Sequence, residues 1–409
     1  MFDVRTVCRD FPILHTLIDG KPLVYLDSTA TSLKPRIVLD TMNDYYTKYT
    51  ANINRGIYKI SEIATAGYEN AREKIAVFIH AKDAREIIFT RNATESINLI
   101  FYAWAKQHLT PKDEVITTIM EHHSNFVPWQ QLHLQQDVKL KIWNVDKEGQ
   151  LDLHDLDKLV TRRTKLLAIT AVSNVLGTIN PIKDIVKKVK RVNSSCVILV
   201  DAAQAVPHMP INIVNWGADA VAFSGHKMLG PTGIGVLWAK MDLLEKLPPY
   251  QYGGDMIKEV HIDQTIFNDV PQKFEAGTPH IAGIIGLGAA VDYLSKLGMD
   301  SVRSHEKEIT KYALDGLSSI KGIMIVGPKD VAKRGGVIAF TMKGIHPHDV
   351  AQVLDEDNVC IRVGFHCAQP LHEYLKIGPT ARASFYIYTT KEDIHALVKG
   401  LEKVTSIFK

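Results

Sequence analysis

Cysteine is scarce in this chain. Its 409 residues hold four, Cys8, Cys196, Cys360 and Cys367, and no two form a C-x-x-C pair. A disulfide framework is therefore not expected; scattered thiols in a large chain fit a reducing compartment, which predicts a cytoplasmic protein. Long apolar runs are missing too. The longest strongly apolar stretch, Ile281 to Val291, falls well short of the roughly 20 residues that cross a bilayer. The start, Met1-Phe2-Asp3-Val4-Arg5, lacks the layout of a signal peptide, so no membrane partner is expected. Nor is there an excess of one charge. A formal net charge of +3 suggests neither a nucleic-acid binder nor an acidic tail. The densest basic run, Lys187-Lys188-Val189-Lys190-Arg191, alternates with Val186, Val189 and Val192 and reads as the wet face of an amphipathic helix. Internal repeats and low-complexity segments are absent from the sequence.

What remains is an ordinary globular composition, 46% hydrophobic and 23% charged, in a chain long enough for two cores. Short β-rich runs alternate with amphipathic stretches through the first two-thirds: Glu86–Thr90, Glu114–Thr118, Leu166–Thr170, Val197–Val200 and Ala220–Phe223. Near-continuous apolar strands separated by helical segments predict a mostly parallel sheet covered on both faces. Beyond Leu247-Pro248-Pro249 and Gly253-Gly254 the pattern changes. A Gly- and Ala-rich helix over about 280–297 leads into a smaller α+β region with strands at Val337–Thr341 and Val359–Val363.

In such sheets, ligands sit beyond the carboxyl ends of the strands, so the chemistry is read there. The strand Val197–Val200 ends in Asp201-Ala202-Ala203-Gln204, and Phe223 is followed by Ser224-Gly225-His226-Lys227 and a glycine-rich turn. Asp201 alone could simply cap a helix. Together with Lys227 it suggests more: an electron-sink cofactor of the pyridoxal type needs a lysine amine as covalent anchor and an acid to hold its ring nitrogen protonated. Ser224 and His226 would serve its phosphate. A further phosphate donor is expected at a helix N-terminus, and Thr94, at the start of an apolar-periodic helix through Ile97, Ile100 and Phe101, fits. Met120-Glu121-His122-His123-Ser124-Asn125 also follows a strand. Adjacent residues do not face the same way on a helix, so an imidazole stacked on a cofactor ring is preferred there to a metal site. His346-Pro347-His348-Asp349 reads as a helix start rather than as metal ligands.

By these residues the chain resembles the SUF-type (group II) cysteine desulfurases, among the class V aminotransferase-like, fold type I pyridoxal-phosphate enzymes. The resemblance runs from Val24-Tyr25-Leu26-Asp27-Ser28 through Val172 to Thr178, Asp201 to Ala205 and Ser224 to Lys227, and on to Phe274-Glu275-Ala276-Gly277-Thr278-Pro279. Arg362-Val363-Gly364-Phe365-His366-Cys367-Ala368 is similar to the nucleophile loop of that branch. It implies an α/β fold: a large domain (23–265) around a mostly parallel seven-stranded-type sheet, and a smaller α+β C-terminal domain (266–409) carrying the nucleophile loop. An N-terminal segment (1–22) would pack on the smaller domain.

The resemblance also implies roles. Lys227 would anchor pyridoxal 5'-phosphate, Asp201 would pair with its ring nitrogen, Gln204 would contact its hydroxyl and His123 would stack on the ring and move protons. Asn174 would lie beside substrate and ring, and Thr94, Ser224 and His226 would hold the phosphate. Thr278 would reach the phosphate of a neighbouring subunit in a homodimer with shared active sites. Arg382 would take the carboxylate of L-cysteine, a bidentate task suited to a guanidinium, with Arg362 and Arg55 lining the same pocket. Cys367 would take the sulfur as a persulfide and pass it to an acceptor protein or iron–sulfur assembly scaffold. No metal is expected. Asn54 and Phe365 stand where the family usually has His, so altered proton handling or loop packing is expected there. A selenocysteine lyase or a class V aminotransferase would share most of the site. Cys367 in its loop with Arg362 and His366 argues against the aminotransferase, because only a thiolate is nucleophilic and cations favour it; dependence on that thiol separates the desulfurase from the lyase.

Overall fold

The computed structural model describes residues 2–408. Seven strands form one sheet in the order Ile87–Thr90, Gly235–Ala239, Ala220–Ser224, Val197–Asp201, Thr164–Thr170, Glu114–Thr118, Lys139–Trp143. Only Gly235–Ala239 runs antiparallel to its neighbours; the rest of the ladder is parallel. The apolar runs become strands because both faces of the sheet are covered. Successive side chains alternate between two cores, so Ile198 and Val200 enter one while Leu199 enters the other. The first core takes the helices Arg36–Lys48, Lys59–Phe78 and Ile281–Leu297; the second takes Ala93–Ile100. The basic run lies on the helix Ile182–Val192, which buries Ile185, Val186 and Val189. His346 caps the helix Pro347–Asp355, accepting the His348 N–H at Nδ1. Among the described residues, no single helix is long and apolar enough to cross a membrane.

A second sheet is antiparallel, in the order Ile323–Val326, Val337–Met342, Thr380–Ser384, Arg362–Gly364. Here the structure differs from the single strand expected over Val359–Val363. The chain changes partners at Ile361: Val359–Cys360 pairs in parallel with Val24–Tyr25, and Arg362–Gly364 pairs with Thr380–Ser384. Val24 and Leu26 belong to the smaller core, while the helix Ile281–Leu297 packs with Lys59–Phe78 and Arg36–Lys48 in the larger one. We therefore place the start of the smaller unit near Gly298 rather than at 266, and count residues 24–27 with it. The preceding segment also touches residues late in the chain, through Asn358 Nδ2 to the Ile18 carbonyl (2.7 Å) and Lys21 to Asp357 (2.7 Å).

One close approach deserves a prediction. A Cβ on Gly235 would lie 2.4 Å from Asn92 Cα, so glycine lets the helix N-terminus at Ala93 sit against the strand end. Gly235→Ala is expected to destabilise the protein by about 1–3 kcal/mol through overpacking, measured as a lower denaturant midpoint.

Candidate active site

The carboxyl ends of five parallel strands open onto a cavity of about 270 Å3. Asp201 closes its strand opposite Ala222 of the next, and the turn Gly225–Lys227 follows that neighbouring strand. Asp201 and Lys227 are thus delivered to one cavity by adjacent strands, and Thr94, Asn174, Gln204, Ser224, His226, Arg362, Cys367 and Arg382 line it with them. Burial dominates the electrostatics. It pushes the Lys227 amine below its usual range, against the pull of Asp201, and pushes the Asp201 carboxyl up, against the Ala203 N–H (2.9 Å) and Lys227. Gln204 Nε2 donates to the Thr29 carbonyl (2.9 Å), which fixes its amide.

At one end Ser224 Oγ accepts the Ala93 N–H at 2.8 Å, and Asn92 Oδ1 takes the N–H of Glu95 at 2.9 Å. These contacts hold Thr94 and the positive end of the helix over Ser224 and His226, a setting for an anion. His226 is pushed down to about 4, first by burial and then by Lys227 and Lys34, so it is neutral there.

The other end is built from two arginines that stand opposite each other in the second sheet, Arg362 facing Arg382. Like charges in that register repel. Asp27 resolves the conflict: its Oδ2 lies 3.1 Å from Arg362 Nε and its Oδ1 3.2 Å from Arg382 Nη2. The two arginines are not equivalent, since the Arg382 side chain is 3% exposed and that of Arg362 49%. Arg382 Nη1 donates to the Asn174 carbonyl (3.1 Å), while its buried Nε has no partner among the described residues. An unsatisfied buried donor is costly, and an incoming carboxylate would satisfy it.

Cys367 is exposed at the tip of a strained loop, with φ of +51° at His366 and +56° at Cys367. His366 is held by Thr380: Nε2 lies 2.8 Å from Thr380 Oγ1, which lies 3.3 Å from His372 Nε2, while His372 Nδ1 sits 3.0 Å from the Ala368 carbonyl. A carbonyl only accepts, so His372 carries its proton on Nδ1 and takes the threonine proton at Nε2. His366 then donates from Nε2, leaving Nδ1 as a buried lone pair without a partner among the described residues.

Two sequence expectations change, for His123 and Arg55. The histidine of this cavity is His122, not His123. The turn points the first imidazole inward, where burial, Lys227, His123 and Arg382 hold it at about 3. His123 points to the Cys367 loop instead. Arg55 does not line the cavity of its own chain; it is largely exposed, 3.8 Å from Asp255. Thr278 is exposed as well, accepting a long 3.4 Å contact from Asn52 Nδ2 away from that cavity. Of the two departures, Asn54 adopts φ +73°, a left-handed conformation that asparagine tolerates well, and Phe365 packs edge-on against His372 at 5.4 Å.

Sequence reasoning missed Asp27 and Glu121. Two arginines in one short region were a signal that an acid was owed to them. Glu121, fully buried behind His122, accepts from Thr118, the Thr170 N–H and Asn125, and no sequence pattern marked it.

The donor set fits pyridoxal phosphate: an anion cradle at one end, a buried acid and amine side by side in the middle, and an unsatisfied guanidinium donor at the other. The comparisons agree. Residues 24–397 match the aminotransferase class-V family. A probable cysteine desulfurase of Halalkalibacterium halodurans is 49% identical over 97% of both chains. One of Streptomyces coelicolor is 47% identical over 100% of this chain and 98% of its own. Among solved structures, a cysteine desulfurase from Thermococcus onnurineus superposes with a TM-score of 0.93 at 38% identity, covering 98% of each chain. One from Escherichia coli in its S-sulfonic acid form gives 0.91 at 36% over 100% of each. The chain belongs to the class-V aminotransferase family, in its cysteine desulfurase group.

Proposed function

We propose that this protein removes sulfur from L-cysteine, releasing L-alanine and leaving a persulfide on Cys367. The observation that carries the reading is that one cavity holds the Asp201–Lys227 pair, the unsatisfied Arg382 donor and an exposed cysteine on a fixed loop. Thr94, Ser224 and His226 would hold the phosphate of pyridoxal 5'-phosphate, Gln204 its ring hydroxyl and Asp201 its ring nitrogen, with His122 beside the ring. Bound there, the cofactor stores the electron pair left when the bond from Cα to hydrogen breaks. Arg382 takes the substrate carboxylate, with Arg362 nearby. Lys227, its amine held below the usual lysine range by desolvation, removes the α-proton. The Cys367 thiolate attacks the substrate sulfur, the bond from sulfur to carbon breaks, and the remaining three-carbon unit is protonated to alanine.

Arg55 and Thr278, exposed and away from the cavity of their own chain, would serve the cavity of a second copy in a homodimer. The exposed Cys367 would pass its sulfur to an acceptor protein or an iron–sulfur assembly scaffold. The four free thiols suit a reducing compartment such as the cytoplasm.

The test is mass spectrometry of the cofactor-loaded protein after L-cysteine. Alanine release with added sulfur on Cys367, both lost in Cys367→Ala, is the expected result. Alanine formed equally well by Cys367→Ala would overturn the reading in favour of a lyase.

A further inference from the structure

Two consecutive left-handed residues that are not glycine cost about 1–3 kcal/mol each and persist only when their surroundings hold them. At His366 and Cys367, besides Thr380 on the His366 ring, the holding groups come from the loops that follow the strands of the large sheet. Asn174 Nδ2 donates to the His366 carbonyl at 2.8 Å. The His123 N–H donates to the Cys367 carbonyl at 2.7 Å. His123 Nε2 accepts the N–H of Gln369 at 3.2 Å. Gln369 opens the helix Gln369–Leu375, so its N–H is one of the donors a helix start leaves without an internal partner. His123 therefore closes both ends of the nucleophile turn, one with its backbone and one with its ring. Because the Gln369 N–H can only donate, Nε2 carries a lone pair and the neutral ring bears its proton on Nδ1. The preceding residue, His122, lines the cavity, so one two-residue turn touches both the cofactor chamber and the loop that must reach into it.

We propose that His123 is a positioning residue for the nucleophile, a clamp that sets Cys367 against the cavity and makes no contact with the cofactor ring. The inference rests on the desulfurase reading. Its consequence is a split between steps. Filling of the cavity by L-cysteine depends on Arg382, Lys227 and His122, whereas transfer of sulfur depends in addition on where the clamp puts Sγ, and small misplacements of a reacting atom are costly.

The experiment follows two signals in the holoenzyme: the cofactor absorbance change on mixing with L-cysteine, and persulfide on Cys367 in quenched samples. His123→Ala is expected to leave the first nearly unchanged and to slow the second by about tenfold or more. His123→Gln, whose Oε1 reaches roughly where Nε2 lies, is expected to restore most of the persulfide rate. Equal slowing of both signals in His123→Ala would overturn the proposal in favour of a ring contact. An unchanged persulfide rate, or failure of His123→Gln to rescue, would overturn it as well. Should His123→Ala not fold, His123→Asn, whose acceptor is too short to reach Gln369, takes its place with the same expectations. Absence of persulfide in the unmodified protein would sink the desulfurase reading itself, a separate outcome.

Discussion

Lys227→Ala is expected to lower turnover of L-cysteine by about 1000-fold, within the range that a positioned general base contributes. The argument is electrostatic and geometric. Lys227 is partly buried, and desolvation holds its amine below the usual lysine range while Asp201 opposes that shift. An amine in this setting gives up its proton more readily than an exposed lysine, which would be almost wholly protonated at neutral pH. The variant should also lose the covalent cofactor linkage, so its absorbance should resemble that of free pyridoxal phosphate. Because alanine leaves an opening where the side chain stood, small primary amines in the buffer should restore part of the rate. Single-turnover alanine release with and without such an amine checks this. A variant retaining a tenth or more of the native rate would remove Lys227 from the chemistry.

Arg382→Lys carries the second large effect. Lysine keeps the charge near Asp27, but it cannot donate from a planar fork and cannot replace the buried Nε that now lacks a partner. Loss of one partner of a buried charged contact costs about 2–5 kcal/mol. Even the lower end corresponds to a KM for L-cysteine raised by about 30-fold. Since the carboxylate does not react, the change should fall mainly on KM and less on kcat. A lower kcat at unchanged KM would place the substrate carboxylate elsewhere, and Arg362 would be the next candidate.

The large sheet was legible in the sequence because its strands are buried on both faces, and a run such as Val197–Val200 has no other economical home. Asp201 and Lys227 were legible for a related reason: a strand end is a place, and two polar groups on adjacent strand ends imply a shared one. The resemblance added the roles of Gln204, Asn174 and Cys367. Other features were not legible because they depend on direction rather than position. His122 and His123 differ by one step along the same turn, and nothing local decides which ring enters the cavity. The change of partner at Ile361 looks in sequence like one continuous strand, because Val359 to Val363 satisfies β-propensity throughout. Asp27 was quoted within a motif, yet its task appears only when Arg362 and Arg382 face each other across a ladder.

The pairing of Val24–Tyr25 with Val359–Cys360 also sets an order of manufacture. Asp27 and Arg362 are 335 positions apart, which at about 5–20 residues per second is a delay of about 15–70 s on the ribosome. Throughout that interval Val24 and Leu26 lack most of the neighbours they bury against in the finished protein, and the arginines that Asp27 will serve do not yet exist. The carboxylate end of the chamber is thus among the last parts to be assembled. A nascent chain halted before residue 380 would carry the finished large sheet and the lysine, without the β-ladder that sets Arg382 in place.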